Sequence, residues 1–496
     1  MPGQLGAEEE SDMIKAATTS GRQWWALAVL TLSQLMVVLD VTIVNIALPS
    51  AQAELGFADD GRHWLVTGYA LAFGSLLLIG GRLSDYFGRR RMLVLGLVGF
   101  ALASALGGFA QSFETLLAAR VLQGAFGAVL APAALSLVST TFEDRRSRIR
   151  AFSIFGAVSS AGGAIGLLLG GVLTEYLSWH WCMFVNLPIA IIALAGIGLI
   201  RKQPVVDRNA LDLPGALTSV AGMVALVFGL GNAEQGGWLD VWTLAPIVAG
   251  IALLVVFVII ERHAANPLLP LRVLVDRNRG AANLVGLLVN GGLFGVFLFS
   301  TYFLTEALGY SPLATGLSFV PVVLGIIVTS TLVGSRLAAR FGPRYLIAAG
   351  AALAGIGLVM QTGTDASSEF ARDLLPGLVV YGLGLGLVFG RLQEAATARA
   401  ERRDIGVASA LINASQEVGG AAGIALISSL AAGATAALVA SAPQSAALVA
   451  AVTVESYHAA LWAAVGLYAL AAVVSLIVFR SGTIDIDPDA EPLIGH

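Results

Sequence analysis

The sequence predicts an all-α integral membrane protein with fourteen transmembrane helices, arranged as two six-helix bundles with a two-helix insert between them. Three observations lead to this prediction: the composition, the number of long apolar stretches and a pattern that recurs in both halves. Of the 496 residues, 57% are hydrophobic and 12% are charged, whereas soluble globular proteins carry about 25% charged residues. Because so little charge cannot cover a water-facing surface, a soluble enzyme and a disordered scaffold are excluded. A single cysteine, Cys182, excludes an intrachain disulfide framework.

The apolar stretches are long enough to cross a bilayer. A helix of about 20 apolar residues spans the ~30 Å hydrocarbon core, and backbone groups in lipid must be paired within the span, which favours helices over strands. The first stretch, 24–48, is too long for the core of a cleaved signal peptide, and the segment before it is acidic. The predicted helices begin near Trp24, Trp64, Met92, Leu116, Ala151, Cys182, Leu213, Trp242, Ala282, Leu313, Tyr345, Asp373, Ile405 and His458.

The distribution of basic residues predicts the orientation. An even number of spans places both termini on one side of the membrane. Of the 28 Arg and Lys residues, all but Arg62, Arg372 and the intramembrane Arg120 fall on that side when each is assigned to a loop. Since cytoplasmic loops carry the excess of basic residues, we expect both termini in the cytoplasm of a bacterial cell, with the chain in its cytoplasmic membrane.

An internal repeat divides the chain. The segment 82–90 resembles 336–344, and 162–166 resembles 419–423 at nearly the same offset. Parallel six-helix repeats are typical of secondary transporters that rock around a site at the repeat interface. The predicted organisation is a cytoplasmic tail (1–23), a first bundle (24–200), a linker with two additional helices (201–280), a second bundle (281–480) and a second cytoplasmic tail (481–496).

Some chemistries are excluded by the residues that they require. Neither of the two lysines, Lys15 and Lys202, follows a glycine, as the lysine of a phosphate-binding loop does, so ATP hydrolysis through such a loop is excluded. The five histidines lie far apart without a His-Glu-x-x-His pattern, and we therefore expect no metal site. We also expect no cofactor and no nucleic-acid partner.

Several segments resemble the major facilitator superfamily and, within it, the fourteen-span drug:proton antiporters. The resemblance runs from about Trp24 to Arg480. It departs from the family pattern at Leu167, where the fifth span usually has proline. The matching segments are Leu39–Pro49 in the first span, Gly81–Arg91 after the second, Arg120, Gln123, Gly124 and Gly127 in the fourth, and Gly162, Gly166, Gly170 and Gly171 in the fifth.

Asp40 and Arg120 are candidate proton-coupling residues. Each lies in an otherwise apolar stretch, and an ionisable residue at the centre of a membrane helix costs roughly 2.5 to 3.5 kcal/mol. A rise of ~1.5 Å per residue places the two at similar depth. We hypothesise that both face one cavity and that Arg120 keeps Asp40 ionised until a proton arrives; the alternative is a static buried ion pair.

Glu417 is the other acid near mid-membrane. One interpretation is a second protonation or cation-recognition site. The other is a buried polar group bonded to a neighbour such as Gln416 or Asn413. The acids at the predicted outer ends of the spans, Glu175, Glu306 and Glu455, are expected to be structural.

Two sets of residues are candidates for gating. The resemblance implies that Gly81, Asp85, Gly88, Arg89 and Arg90 close the cytoplasmic side, with the carboxylate capping a helix of the other bundle; charge that only sets topology is the alternative for the arginines. Small residues permit close helix approach, so the span-five glycines are either static packing or a sliding seam between bundles. These glycines are Gly162, Gly166, Gly170 and Gly171.

A set of polar and aromatic side chains is expected to line an apolar cavity for lipophilic or cationic substrates. The predicted function is export of amphipathic drugs or antibiotics in exchange for protons, without ATP, by a protein that is not an enzyme and that acts as a monomer. A dedicated exporter of one endogenous metabolite or lipid is the alternative. The candidate substrate-binding residues are Asn45, Tyr69, Phe73, Phe294, Tyr302 and Tyr381.

Overall fold

The structure is a computed structural model. It describes residues 3–58, 61–142, 144–201, 212–264, 267–269, 276–330, 337, 341–397, 405–441 and 446–480. Throughout these ranges helix is the regular secondary structure, and no β-strand occurs in them.

The first half of the chain forms one helical bundle, and the insert follows it. The helix that begins at Gly3 runs through the predicted tail without a break, so the helical segment is longer than the apolar stretch. The helices of the first half are α1 (Gly3–Leu55), α2 (Gly61–Phe87), α3 (Arg89–Gly108), α4 (Phe113–Thr141), α5 (Arg145–Tyr176), α6 (His180–Phe184) and α7 (Asn186–Ala195). Those of the insert are α8 (Leu213–Gly236) and α9 (Val241–His263).

The second half forms the other bundle. Two of its helices carry a π-helical turn at one end, Phe303–Ala307 and Phe370–Leu374. Its tenth predicted span is broken into two helices at Phe319. The helices are α10 (Arg277–Tyr302), α11 (Pro312–Ser318), α12 (Val320–Val328), α13 (Pro343–Val359), α14 (Leu375–Thr397), α15 (Ile405–Ser441) and α16 (Ala446–Val478).

Ten helices among the described residues are long and apolar enough to cross a membrane. They include both helices of the insert, Leu213–Ala233 and Val241–His263. The count of fourteen spans stays a prediction. Shorter apolar helices occupy the remaining expected positions, at Trp64–Leu77, Ile165–Tyr176, Pro312–Val328 and Pro343–Val359.

Helix starts follow the local sequence. A Ser or Asp side chain at the N-cap accepts a hydrogen bond from a backbone N–H of the first turn, which would otherwise have no partner. The turn between α2 and α3 needs glycine for another reason, because Gly88 has φ +95°, a conformation that costs other residues energy. The N-cap residues with such a bond are Ser112, Asp144, Asp212, Asp240, Asp276 and Ser311.

The internal repeat is visible in equivalent glycine seams. An added Cβ on Gly166 of α5 would lie 2.9 Å from the carbonyl oxygen of Leu39 of α1. In the second half, an added Cβ on Gly423 of α15 would lie 2.1 Å from the Cα of Gly291 of α10. In each half the first and fifth spans therefore pack with their backbones close together. In the second copy of the loop pattern, 336–344, residues 336 and 338–340 lie outside the described residues.

The halves meet through two related pairs of helices. On one side α5 packs on α11, where an added Cβ on Gly171 would lie 2.8 Å from the Cα of Leu313. On the other side α2 packs on α15, where an added Cβ on Gly74 would lie 3.2 Å from the Cβ of Glu417. The insert covers the second contact, because Val227 of α8 shares a buried apolar cluster with residues of α2 and α15.

Candidate functional site

The centre of the candidate site is an ion pair between α1 and α4. Nη1 of Arg120 donates to Oδ2 of Asp40 over 2.5 Å. The other carboxylate oxygen, Oδ1, accepts from Nε2 of Gln123 over 2.8 Å and from Nδ2 of Asn186 over 2.7 Å. Asp40 is 0% exposed and Arg120 is 1% exposed. A fully desolvated carboxylate is tolerated only with partners of this kind, and here three donors surround it.

Further bonds hold the partners of Asp40 in place. Nε of Arg120 donates to the carbonyl oxygen of Leu65 over 3.2 Å, and Nη1 also donates to Oε1 of Gln123 over 3.0 Å. Ser104 of α3 accepts from Gln123 over 2.8 Å and from Asn186 over 3.2 Å. Five helices of the first half, α1, α2, α3, α4 and α7, thus supply one polar network.

Sequence reasoning did not assign a role to Ser104, Gln123 or Asn186. Gln123 and Asn186 are the residues in direct contact with the carboxylate of Asp40 besides Arg120. The signal was available: Asn186 is a lone amide in the apolar stretch that begins at Cys182, and buried polar groups in proteins are bonded to one another.

That both side chains face one substrate cavity stays a prediction. The ion pair itself lies inside the first half, and neither side chain is exposed, because the helices of the polar network close around the pair. A small crevice approaches Arg120 from the predicted outer side. Its lining includes Val44, Leu48, Leu65, Leu116 and Met183.

The ring of Tyr69 of α2 packs against the ion pair. The guanidinium carbon of Arg120 lies 4.4 Å from the centroid of its ring, close enough for a cation–π interaction. Phe73 stacks on Tyr69 at 5.9 Å between ring centroids. The hydroxyl of Tyr69 is buried, and no described residue bonds to it.

Glu417 of α15 lies on the other side of α2, next to Gly74. Its Oε2 is buried and has no hydrogen-bond partner in the described part of the chain. Oε2 is therefore not bonded to Gln416 or Asn413, which one of the two interpretations expected for this carboxylate. A buried carboxylate oxygen without a hydrogen-bond donor lowers the stability of the folded protein. Structural stability therefore does not explain the presence of Glu417 at this position.

The predicted gating loop is tied to the insert. Nη2 of Arg82 donates to the carbonyl oxygen of Pro267, in the segment after α9. Arg89 and Arg90 are half-buried, and Gly81 has open space on its Cα, with the nearest atom, on Pro132, 3.9 Å from an added Cβ. The side chain of Asp85 lies outside the described part of the structure.

The glycines of the fifth span lie on two different faces of α5. Gly162, Gly166 and Gly170 pack against α1, within the same half. They are therefore not a seam between bundles, and this corrects that interpretation. Gly171 is the glycine of the set that faces the other half, together with Leu167, whose carbonyl oxygen would lie 2.5 Å from an added Cβ on Gly316.

The candidate substrate-binding residues lie in different parts of the structure. Tyr69, Phe73 and Phe294 lie where the halves approach each other, with Phe294 packed on Gly420. Asn45 is buried in α1. Tyr381 is a correction: it is 1% exposed and bonds through its hydroxyl to Tyr468 over 2.7 Å, inside the second bundle.

Tyr302 belongs to an ion-pair cluster at the predicted outer side. The guanidinium carbon of Arg62 lies 3.8 Å from its ring centroid, and Nη2 of Arg62 donates to Oε1 of Glu306 over 3.1 Å. Gln52 accepts from Arg62 over 2.6 Å and from the hydroxyl of Tyr302 over 3.1 Å. Thr453 donates to Oε2 of Glu306 over 3.2 Å. Arg62 and Gln52 belong to the first half and the others to the second, so this cluster joins the halves.

Comparison with known proteins agrees with this architecture. The family model described as Major Facilitator Superfamily matches residues 30–424. The chain is 48% identical to the puromycin resistance protein of Streptomyces alboniger, over 81% of this chain and 80% of that protein. It is 39% identical to the cephamycin export protein of Amycolatopsis lactamdurans, over 86% of this chain and 87% of that protein.

A solved structure shows the same fold. A bacterial homologue of the human lysosomal transporter Spinster superposes with a TM-score of 0.67 at 16% sequence identity, covering 92% of this chain and 97% of that chain. That protein is a homologue of a transporter. With a family match over most of its length and a helical fold of two related halves, the chain belongs to the major facilitator superfamily.

Proposed function

We propose that the protein is a proton-coupled antiporter that exports amphipathic drugs or antibiotics across the bacterial cytoplasmic membrane by alternating access, with fourteen spans and both termini in the cytoplasm. The observation that carries the proposal is the desolvated ion pair of Asp40 and Arg120. The resistance and export proteins among the relatives support the substrate class. In this proposal the protein acts as a monomer, and its partners are the substrate, protons and lipid.

The coupling step begins at Asp40. A proton on its carboxylate removes the charge that Arg120 binds, while the guanidinium stays charged at any physiological pH. A buried cation without an anion is unstable, so the local packing of α1 and α4 changes when the proton arrives. Each proton that moves down a potential of 100 mV releases roughly 2.3 kcal/mol, which corresponds to more than a tenfold gradient of a neutral solute.

Glu417 completes the proposed coupling path as a second protonation or cation-recognition site. Glu417 packs against Gly74 of α2, and the same helix carries Tyr69, whose ring centroid lies 4.4 Å from the guanidinium carbon of Arg120. A substrate cation, or a second proton, would supply the missing partner of Oε2. In this arrangement, a change in the protonation of Asp40 in the first half is transmitted to Glu417 in the second half.

Two clusters are the proposed gates. The cluster of Arg62 and Glu306 closes the outer side, and the loop with Asp85, Arg89 and Arg90 closes the cytoplasmic side. We expect Asp85→Asn to reduce transport and to leave the amount of protein in the membrane unchanged. Transport at the original rate would contradict the gating role of Asp85.

The proposal is tested with purified protein in proteoliposomes. Substrate added to one side is expected to release protons to the medium, measured with a pH-sensitive dye, and Asp40→Asn is expected to abolish this release. The matched control is Glu455→Gln, which removes an exposed carboxylate at a predicted span end. Uphill, proton-driven export by Asp40→Asn would rule out the coupling role.

A second candidate, export of one dedicated compound, is favoured by the relatives that are associated with single antibiotics, puromycin and cephamycin. A resistance panel in a drug-sensitive host distinguishes the two. Protection against compounds of unrelated structure supports a broad range, and protection against one compound supports a dedicated exporter.

A further inference from the structure

The two-helix insert lies across the contact between the halves. Val227 of α8 packs between Ala70 of α2 and Ala421 of α15, and all three are at most 1% exposed. The insert therefore touches both halves at one depth. If the halves rock against each other, α8 cannot keep both contacts and must move with one half.

The contacts with the first half occur near both ends of α2, and one of them is a hydrogen bond from a charged donor. Near its start, Trp64 packs on Phe228 at 5.9 Å between ring centroids, and an added Cβ on Gly231 would lie 3.0 Å from the Trp64 ring. Near its end, Arg82 donates to the carbonyl oxygen of Pro267. A hydrogen bond from a charged donor is about twice as strong as a neutral one.

Glu261 of α9 fixes the segment that contains Pro267. Its Oε1 accepts from the backbone N–H of Leu268 over 3.2 Å, and its Oε2 accepts from that of Leu269 over 3.0 Å. Glu261 is 4% exposed, so these bonds are shielded from water. They hold the Pro267 carbonyl in position to accept from Arg82.

The contacts with the second half are apolar. Phe257 and Leu268 pack against Ala408 and Leu411 of α15, and Val227 packs against Ala421. Apolar contact is not directional. The small side chain of alanine offers little steric resistance to a neighbouring helix that slides past it. Movement of α15 along α8 therefore shifts apolar contacts, whereas movement of α2 away from the insert breaks the hydrogen bond of Arg82.

We propose that the insert moves as part of the first half during transport, fastened to α2 by Arg82 and Trp64, while α15 slides along α8. Arg82 and Glu261 are then positioning residues for the insert. The inference rests on the alternating access proposed above and goes beyond it, because it assigns the insert to one of the two moving bodies.

Paired cross-links test the assignment. In a Cys182→Ala background, Ala70→Cys with Val227→Cys joins the insert to α2, and Val227→Cys with Ala421→Cys joins it to α15. After oxidation, we expect drug transport to continue with the first bond and to be lost with the second, and to return on reduction. The single-cysteine variants are the controls, and peptide mass spectrometry measures the bond. The reverse pattern, or an equal effect of both bonds, overturns the proposal.

Spin-label distances give a readout that does not depend on transport. Labels at Trp242 of α9, Phe109 after α3 and Met360 after α13 lie on exposed sites. As the pH is varied, we expect the 242–109 distance to stay constant and the 242–360 distance to change. A change in 242–109, or a constant 242–360 distance, overturns the proposal. If the reduced protein, which carries no cross-link, releases no protons when substrate is added, that result instead contradicts the antiport mechanism.

Discussion

Asn186 of α7 donates a hydrogen bond to Asp40 of α1 over 2.7 Å, although 146 positions separate the two residues in the chain. This bond is one of the interactions that allow a carboxylate to remain ionised without water. It also links the last span of the first half to the proposed proton site. The surroundings of Asp40 are thus set by helices that are remote in sequence.

We expect Asn186→Leu to destabilise the protein and to slow transport. The variant keeps a similar volume but removes a donor to Asp40, and loss of a partner for a buried group costs about 1–3 kcal/mol. Thermal unfolding in detergent and proton-coupled transport measure the two effects. The control is Asn413→Leu, which removes a half-buried amide of α15. Equal unfolding temperatures for the two variants would contradict the prediction.

The outer cluster is expected to bias the protein toward the outward-closed state. Arg62→Gln removes the ion pair with Glu306. The side chains of Arg62 and Glu306 are 21% and 27% exposed. A pair at this exposure contributes about 0.2–1 kcal/mol, so the conformational balance should change by up to about fivefold. Labelling of a cysteine introduced at Ala51 by an added membrane-impermeant maleimide measures the change. Exchange of the two charges, Arg62→Glu with Glu306→Arg, should restore slow labelling; unchanged labelling in Arg62→Gln would refute this role.

Gly171→Ala is expected to impair transport by separating the halves at the contact of α5 and α11. The added Cβ would lie 2.8 Å from the Cα of Leu313 and 2.8 Å from the carbonyl oxygen of Pro312, and backbone atoms cannot move aside as a flexible side chain can. Gly163→Ala on the same helix is the matched control, because its nearest neighbour, Thr42 Cγ2, lies at 3.9 Å. Export of a fluorescent drug from cells compares them, and equal export would show that the contact tolerates a larger separation.

Two tyrosines are expected to respond in opposite ways to loss of their hydroxyl groups. Tyr381→Phe removes the 2.7 Å bond to Tyr468 and should lower the free energy of unfolding by about 1 kcal/mol without altering the range of exported drugs. Tyr69→Phe removes a hydroxyl without a partner among the described residues, so stability should be preserved while coupling changes. Thermal unfolding and the resistance panel are the measurements. A changed drug range in Tyr381→Phe would return that residue to the substrate site.

Sequence reasoning identified the main features of the candidate site but not its surroundings. Asp40 and Arg120 stood out because a charge in an apolar span is rare and costly, and the rise of a helix was sufficient to match their depths. Depth along a helix does not specify the direction of a side chain around it. For this reason Tyr381 was assigned to a cavity although it faces Tyr468 inside the second bundle. The same limit concealed the contact between Arg62, which was only counted among the loop charges, and Glu306, which was expected to be structural at an outer span end.

Helical structure, a position in the membrane and the relation between the halves could all be predicted from the sequence, because apolar length, low charge and an internal repeat are recorded along the chain in order. The packing of the helices was needed to show that Gln123 and Asn186 complete the site of Asp40, that Gly166 faces α1 whereas Gly171 faces α11, and that the insert contacts Arg82. These relationships depend on how helices cross and rotate against one another. Side-chain packing between segments far apart in sequence sets those crossings, and no local pattern records them.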